Sequence, residues 1–269
     1  MQNKKIAIIG GGNLGTAIAE GLIISGEVLA SNLYVTRRRA GLLRSLKDIG
    51  IHVGSDNQEA VRKSDIVILA VKPYQVIEIL KSLTPLLTSG KIVISLVAGI
   101  DLNELSRITG KDIPLFRAMP NTAIALQESM TLISTNGSGE EHKQLVVDLF
   151  NKMGKTAIIP DELMAAATVL AACGIAYALR YIRAAMQGGV EIGFGAELAQ
   201  FITAQTVLGA AKLVLETGNH PEKEIDKVTT PRGVTITGLN EMENKGFSAS
   251  LIQGLLASYK KIEKLEDPG

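Results

Sequence analysis

The chain has one cysteine, no tryptophan and few aromatics of any kind, with Phe, Trp and Tyr together making up 4% of its 269 residues. A single cysteine, Cys173, cannot build an intrachain disulfide framework, and the N-terminus lacks an apolar run ending in a small-residue cleavage site. Both absences lead us to expect a reducing, cytoplasmic setting. An excess of charge of one sign is missing too. Lys and Arg number 28 against 27 Asp and Glu, a net charge of +1, which gives no electrostatic case for nucleic acid or a membrane surface. The expected partner is a small molecule or another copy of the chain. The three histidines, His52, His142 and His220, fall in expected loops or on a helix surface. No His/Cys cluster has zinc spacing, and no metal is expected. The most apolar stretch, Met164 to Leu179, falls short of a bilayer span and runs into Arg180 and Arg183, so it reads as a buried helix rather than a membrane segment.

What is present is alternation. Ile6–Ile9, Leu33–Val35, Ile66–Val71, Ile92–Val97, Leu115–Met119, Thr131–Ile133 and Ala157–Ile159 read as short buried strands separated by helix-like segments, the pattern of a doubly wound α/β sheet, with a mixed far edge allowed for. Helix starts are marked by Ser55 with Gln58, Asp101 with Glu104, and Ser138 with Glu141, each a cap residue followed three positions later by Glu or Gln. From Asp161 onward the strand signal stops and alanine-rich helical runs follow: Glu162 to Gln187, Ala196 to Thr217, Arg232 to Asn244 and Ser248 to Glu266. The expected division is a Rossmann-type sheet domain over 1–160 and an all-helical domain over 161–269. The first two of these runs are apolar around much of their circumference, which in a small domain implies burial on more than one face. A homodimer would supply the missing cover.

The first strand runs straight into Gly10-Gly11-Gly12-Asn13-Leu14-Gly15 and then a helix-like run from Thr16 to Ser25. In this pattern Gly10 permits the tight turn, Gly12 lets the backbone approach a pyrophosphate, and Gly15 lets the helix pack on its strand, while the helix N-terminus offers free N–H groups. The second strand ends in Thr36-Arg37-Arg38-Arg39, where a site for NAD(H) would place a carboxylate on the ribose 2′-OH. Guanidinium forks suit a 2′-phosphate instead, so NADP(H) is the expected cofactor, with NAD(H) left open as a second. Further strands end in Ala70-Val71-Lys72-Pro73, Val97-Ala98-Gly99 and Met119-Pro120-Asn121-Thr122, whose small residues and prolines leave room for that cofactor while fixing the backbone. Asn57 is assigned to the same cofactor set. A last unusual segment runs from Val228 to Leu239, in which Thr230 reads as an N-cap with Pro231 at the first helical position, a helix start able to receive a carboxylate.

Along nearly its whole length the chain resembles the pyrroline-5-carboxylate reductases. The likeness is carried by Ile9 to Gly15, Ala70-Val71-Lys72-Pro73, Ala98-Gly99-Ile100, Arg117 to Thr122, and most specifically by Gly174-Ile175-Ala176-Tyr177 and the Thr230–Thr235 segment. The resemblance implies an N-terminal Rossmann domain, a helical domain that interlocks into dimers or larger assemblies, and reduction of a cyclic imine to proline. It implies a substrate carboxylate on backbone N–H groups near Gly233, Val234 and Thr235, with the Thr235 hydroxyl facing the imine nitrogen as the catalytic contact; Met119 and Asn121 join the substrate set. The chain departs from the family pattern in having Arg232-Gly233 for Gly-Gly, Ile175 for Pro and Cys173 for Ser. Cys173 reads as a packing residue, because no base is evident beside it.

Two other readings are open at this stage. A β-hydroxyacid or imine dehydrogenase of related architecture would need a lysine on the helical domain, and Lys212 is the one lysine on the two core helical runs. A non-catalytic NADP-sensing or PLP-handling interaction protein would keep the fold for binding alone.

Overall fold

The computed structural model describes residues 3–110 and 112–266. Eight strands, β1 (Ile6–Ile9), β2 (Leu33–Thr36), β3 (His52–Gly54), β4 (Ile66–Leu69), β5 (Ile92–Ser95), β6 (Leu115–Met119), β7 (Ser129–Thr135) and β8 (Gly154–Ile158), form one sheet in the spatial order β3-β2-β1-β4-β5-β6-β7-β8. The first six are parallel, in the order that puts a topological switch point between β1 and β4. The far edge is mixed, with β7 antiparallel to β6 and β8 parallel to β7. β1, β4 and β5 are buried at every position, which is why they read as Ile-Ala-Ile-Ile, Ile-Val-Ile-Leu and Ile-Val-Ile-Ser with no polar alternation until the last residue. Strands covered on both faces need that composition. Ile6, Ile8, Ile66 and Ile68 enter one core cluster, and Ala7, Ile9, Val67 and Leu69 the other. Each fully buried Ile, Val or Leu adds about 1.5–3 kcal/mol over exposure.

Helices α1 (Asn13–Ile24), α2 (Arg44–Asp48), α3 (Asn57–Arg62), α4 (Pro73–Leu83), α5 (Leu102–Thr109) and α6 (Glu140–Asn151) lie between the strands. Asp101 caps α5 as expected, its carboxylate accepting from Glu104 N–H at 2.7 Å. The other two expected caps are corrected. Asp56 rather than Ser55 caps α3, accepting from the N–H groups of Gln58 and Glu59 at 2.8 and 3.0 Å. α6 starts after Gly139 without a side-chain cap, and Ser138 donates to the Asn136 side chain instead. His52 lies in β3, not in a loop, and stacks on Tyr34 with ring centroids 4.7 Å apart.

Beyond β8 come α7 (Met164–Ala167), a π-helical stretch (Thr168–Cys173), α8 (Gly174–Glu191), α9 (Ala196–Thr217), α10 (Pro221–Val228), α11 (Val234–Asn244) and α12 (Phe247–Glu266). Two compact units result, one up to Cys173 together with the chain from Ser258 onward, the other from Gly174 to Ala257. In the second unit α8 and α9 pack closely, since a Cβ at Gly189 would come 3.1 Å from that of Ala199. Tyr181 meets Phe247 edge-on at 6.3 Å. Within the single chain α8 has no buried residue, and in α9 only Ala199 is buried, so the apolar faces expected to need cover from a second copy are open here. Phe201 is 68% and Leu215 81% exposed. By length and composition the helical runs Asp161–Glu191 and Ala196–Thr217 would also suit membrane spans, the first containing the Met164–Leu179 stretch that alone falls short of one.

Candidate functional site

The glycine turn between β1 and α1 is fixed by steric requirements at Gly10 and Gly15 and by open space at Gly12. Gly10 has φ +111°, and a Cβ there would lie 2.4 Å from the Ala70 carbonyl oxygen. A Cβ at Gly15 would lie 2.1 Å from the Gly10 oxygen, so α1 can approach the turn only with glycine at that position. At Gly12 a Cβ would meet no protein atom within 4 Å, which leaves open space before the N-terminus of α1. Gly12 is the N-cap of α1 and makes no side-chain cap bond, so the first N–H groups and the positive dipole end face that space.

A cleft of about 980 Å³ opens at this switch point. Its walls include Gly10, Gly11, Gly12, Asn13 and Leu14 from the turn, Thr36, Arg37 and Arg38 from the end of β2, Asn57 from α3, Ala70, Val71, Lys72 and Pro73 after β4, and Ala98 after β5. Of the expected cofactor residues, Gly15 and Gly99 stand outside the lining; Gly15 acts through packing, and Gly99 has φ +78° in the loop after β5. Leu42, Tyr74, Gln75, Leu96 and Thr122 also line the cleft. Thr122 belongs to the strand-end segment expected to leave room for the cofactor, whereas Leu42 and the first-turn residues Tyr74 and Gln75 of α4 carry no signal in the sequence.

The electrostatics of the cleft are one-sided. Its lining includes Arg37, Arg38, Arg39 and Lys72 and no carboxylate. Thr36 is 3% exposed, and its Oγ1 is buried without a hydrogen-bond partner among the described residues. A buried hydroxyl of this kind costs free energy unless a ligand satisfies it. The open space at Gly12 before the uncapped start of α1, the orphan hydroxyl and the cations together fit a phosphorylated dinucleotide.

None of the five expected substrate residues, Met119, Asn121, Gly233, Val234 and Thr235, lines this cleft. Met119 is buried at the end of β6. The Asn121 side chain accepts from Ala123 N–H at 3.0 Å and donates to the Ala171 carbonyl at 3.3 Å. It therefore ties the loop after β6 to the π-helical stretch.

The Thr230–Thr235 segment differs from its expected form. Thr230 does not cap a helix; its carbonyl accepts from Gly233 N–H at 2.8 Å, closing a turn around Pro231 and Arg232. Arg232 has φ +58° at the third turn position, where the left-handed region favours glycine. A Cβ at Gly233 would fall 2.5 Å from Thr230 Oγ1, so that position admits only glycine. α11 then starts at Val234 with Gly233 as its N-cap and no side-chain cap bond. Val234 is 91% exposed, and Thr235 beside it is exposed as well. An uncapped helix start with open N–H groups and a hydroxyl in its first turn is suited to an anion.

Cys173 closes the π-helical stretch, half-buried, and burial pushes its thiol above the ordinary range. His220 caps α10, its Nδ1 accepting from Glu222 N–H at 3.3 Å.

Comparison with known proteins places these features among relatives. Residues 161–265 match the family of pyrroline-5-carboxylate reductase dimerisation domains, and residues 5–99 the family described as NADP oxidoreductase coenzyme F420-dependent. The chain is 43% identical to pyrroline-5-carboxylate reductase 1 of Dictyostelium discoideum over 98% of its own length, spanning half the length of that relative. It is 42% identical to pyrroline-5-carboxylate reductase 2 of the same organism, covering 97% of this chain and 93% of the relative. Among solved structures, a pyrroline carboxylate reductase of Plasmodium falciparum with NADP bound matches with a TM-score of 0.92 at 27% identity, over 99% of this chain and all of that one.

Proposed function

The chain belongs to the pyrroline-5-carboxylate reductase family, and we infer that it reduces Δ1-pyrroline-5-carboxylate to L-proline with NADP(H), the last step of proline biosynthesis. The observation that carries this reading is full-length identity of 42% to a reductase of nearly the same size. The cleft supports it with a glycine turn, an uncapped helix start and cations without a carboxylate.

When bound, NADPH supplies the hydride that adds to the imine carbon. A protonated cyclic imine carries its proton on nitrogen already, so hydride addition alone yields the neutral amine and no acid–base dyad is required. The residues of the chain then have to bind, orient and exclude water. Holding donor and acceptor in a near-attack geometry can contribute roughly 7–11 kcal/mol. We assign the substrate carboxylate to the start of α11 at Gly233, Val234 and Thr235, where the first N–H groups of the helix follow a Gly233 N–H already held by the Thr230 carbonyl, and the imine nitrogen to the Thr235 hydroxyl. Met119 and Asn121 are assigned to the substrate set as well, Asn121 through its hold on Ala171.

The exposed apolar faces of α8 and α9 are assigned to a second copy of the chain, in a homodimer or a larger homo-oligomer. Exposed patches of this kind mark association surfaces, and residues 161–265 match a dimerisation family. With one cysteine and a balanced charge the enzyme is assigned to the cytoplasm, with no nucleic-acid or membrane partner. The test in cells is complementation: expression should relieve the proline requirement of a strain lacking this reduction. Growth that still requires added proline, with folded protein present, would contradict the assignment.

A further inference from the structure

We propose that Arg37 is a positioning residue for the glycine turn, and that recognition of the 2′-phosphate falls to its neighbours Arg38 and Thr36. The inference rests on the cleft being the dinucleotide site. Three hydrogen bonds join the end of β2 to the turn. The Thr36 carbonyl accepts from Gly10 and Gly11 N–H at 3.1 and 2.7 Å. The Arg37 guanidinium then reaches back, Nη1 donating to the Gly11 carbonyl at 3.0 Å.

The Gly11 residue is thereby held at both its N–H and its carbonyl, and the second bond is charge-assisted, the stronger kind. Gly11 has no slack on its other side, since a Cβ there would come 2.7 Å from a Leu43 methyl. Arg37 is itself anchored, its N–H donating to the Gly54 carbonyl of β3 at 2.9 Å. It is half-buried, whereas Arg38 and Arg39 are exposed. One arginine of the run is thus committed to the protein. The adjacent buried Thr36 hydroxyl, which has no partner among the described residues, points to a ligand atom instead.

The pyrophosphate lies against the glycine turn in either dinucleotide, and only the 2′-phosphate distinguishes them. A strut on the turn therefore affects both cofactors alike, and a phosphate ligand affects one. This difference is read by calorimetric titration of NADPH and NADH into wild type, R37A, R37Q and R38A. We expect R37A to weaken both dinucleotides by a similar factor, about fivefold to tenfold for a partly exposed charged hydrogen bond. R37Q keeps an N–H donor for Gly11 and is expected within about twofold of wild type for both. R38A is expected to weaken NADPH about tenfold or more and to leave NADH within about twofold. Loss of NADPH affinity alone in R37A, or in R37Q should R37A fail to fold, would make Arg37 a phosphate ligand and overturn the proposal. Unchanged binding of both cofactors in R37A would overturn it too. Wild-type protein that binds neither dinucleotide would instead remove the cofactor reading on which the proposal stands.

Discussion

Arg117 and Asp161 form an ion pair inside the first unit, with Nη1 of the guanidinium 3.0 Å from Oδ1 of the carboxylate and the arginine side chain 2% exposed. The same carboxylate accepts from Ser134 Oγ at 2.6 Å and from Leu102 N–H at 2.9 Å. Asp161 thus joins β6, β7 and the start of α5 at the point where the chain leaves the sheet. Removing its charge would leave the Arg117 guanidinium buried without this counter-ion. Losing one member of a buried pair typically costs about 3–5 kcal/mol, and Asp161 is partly exposed, so Asp161→Asn is expected to destabilise by about 2–4 kcal/mol. Urea unfolding at fixed protein concentration checks this. A loss below about 0.5 kcal/mol would show that the pair contributes little.

At Arg232 the backbone has φ +58° in a turn closed by Gly233 N–H on the Thr230 carbonyl. A non-glycine residue in this region is disfavoured by roughly 1–2 kcal/mol, and glycine carries an entropy cost of roughly 0.5–1 kcal/mol. Arg232→Gly is therefore expected to be neutral or stabilising by up to about 1 kcal/mol, and the β-branched Arg232→Ile to lower the Tm. Thermal unfolding of both variants tests the turn assignment. A higher Tm for the isoleucine variant than for the glycine variant would contradict it.

The parts of the fold legible in the sequence are those where several physical requirements coincide. β1, the glycine turn and α1 combine a buried apolar run, steric demands for glycine at Gly10 and Gly15 and a helix start, and they lie where the sequence placed them. β3 was not legible, because His52-Val53-Gly54 is three residues long and offers no apolar period. α10 was missed for the opposite reason, since Pro221-Glu222-Lys223-Glu224 is polar enough to read as a loop. Thr230-Pro231 imitates a cap followed by the first helical residue, but Arg232 turns the chain through positive φ and delays α11 to Val234. The open faces of α8 and α9 were legible as a need for cover, because runs apolar around much of their circumference exceed what one small domain can bury.

Cys173 carries a thiol pushed above its ordinary range by burial. A raised acid pKa means that folding favours the protonated thiol. Its stabilising contribution is complete below the thiol range of the unfolded chain and is lost as pH rises through the folded value. At neutral pH the thiolate is scarce, and the thiolate is the nucleophile. Iodoacetamide is expected to alkylate Cys173 in the folded protein several-fold more slowly than it alkylates glutathione, as followed by mass spectrometry. Faster labelling than glutathione would indicate an activated thiol and a role for which packing does not account.

Thr235 occupies the first turn of α11, exposed beside an uncapped helix start. With its hydroxyl assigned to the imine nitrogen, Thr235→Val keeps the shape and removes one hydrogen bond. Such a loss costs about 0.5–1.5 kcal/mol, or up to about 3 with a charged partner, so kcat/KM for the imine is expected to fall between a few-fold and about a hundredfold while the Kd for NADPH stays unchanged. An equal rise in that Kd would place Thr235 at the cofactor, and an unchanged kcat/KM would move the substrate site elsewhere.

Reduction of the imine by this chain is tested most directly by following NADPH absorbance with purified protein and Δ1-pyrroline-5-carboxylate as the sole acceptor, while quantifying L-proline in the same mixture. The expected result is saturable oxidation of NADPH with one proline formed per NADPH consumed. Protein that binds NADPH, yet forms no proline from this imine at any pH of a series spanning its protonated and neutral forms, would contradict it.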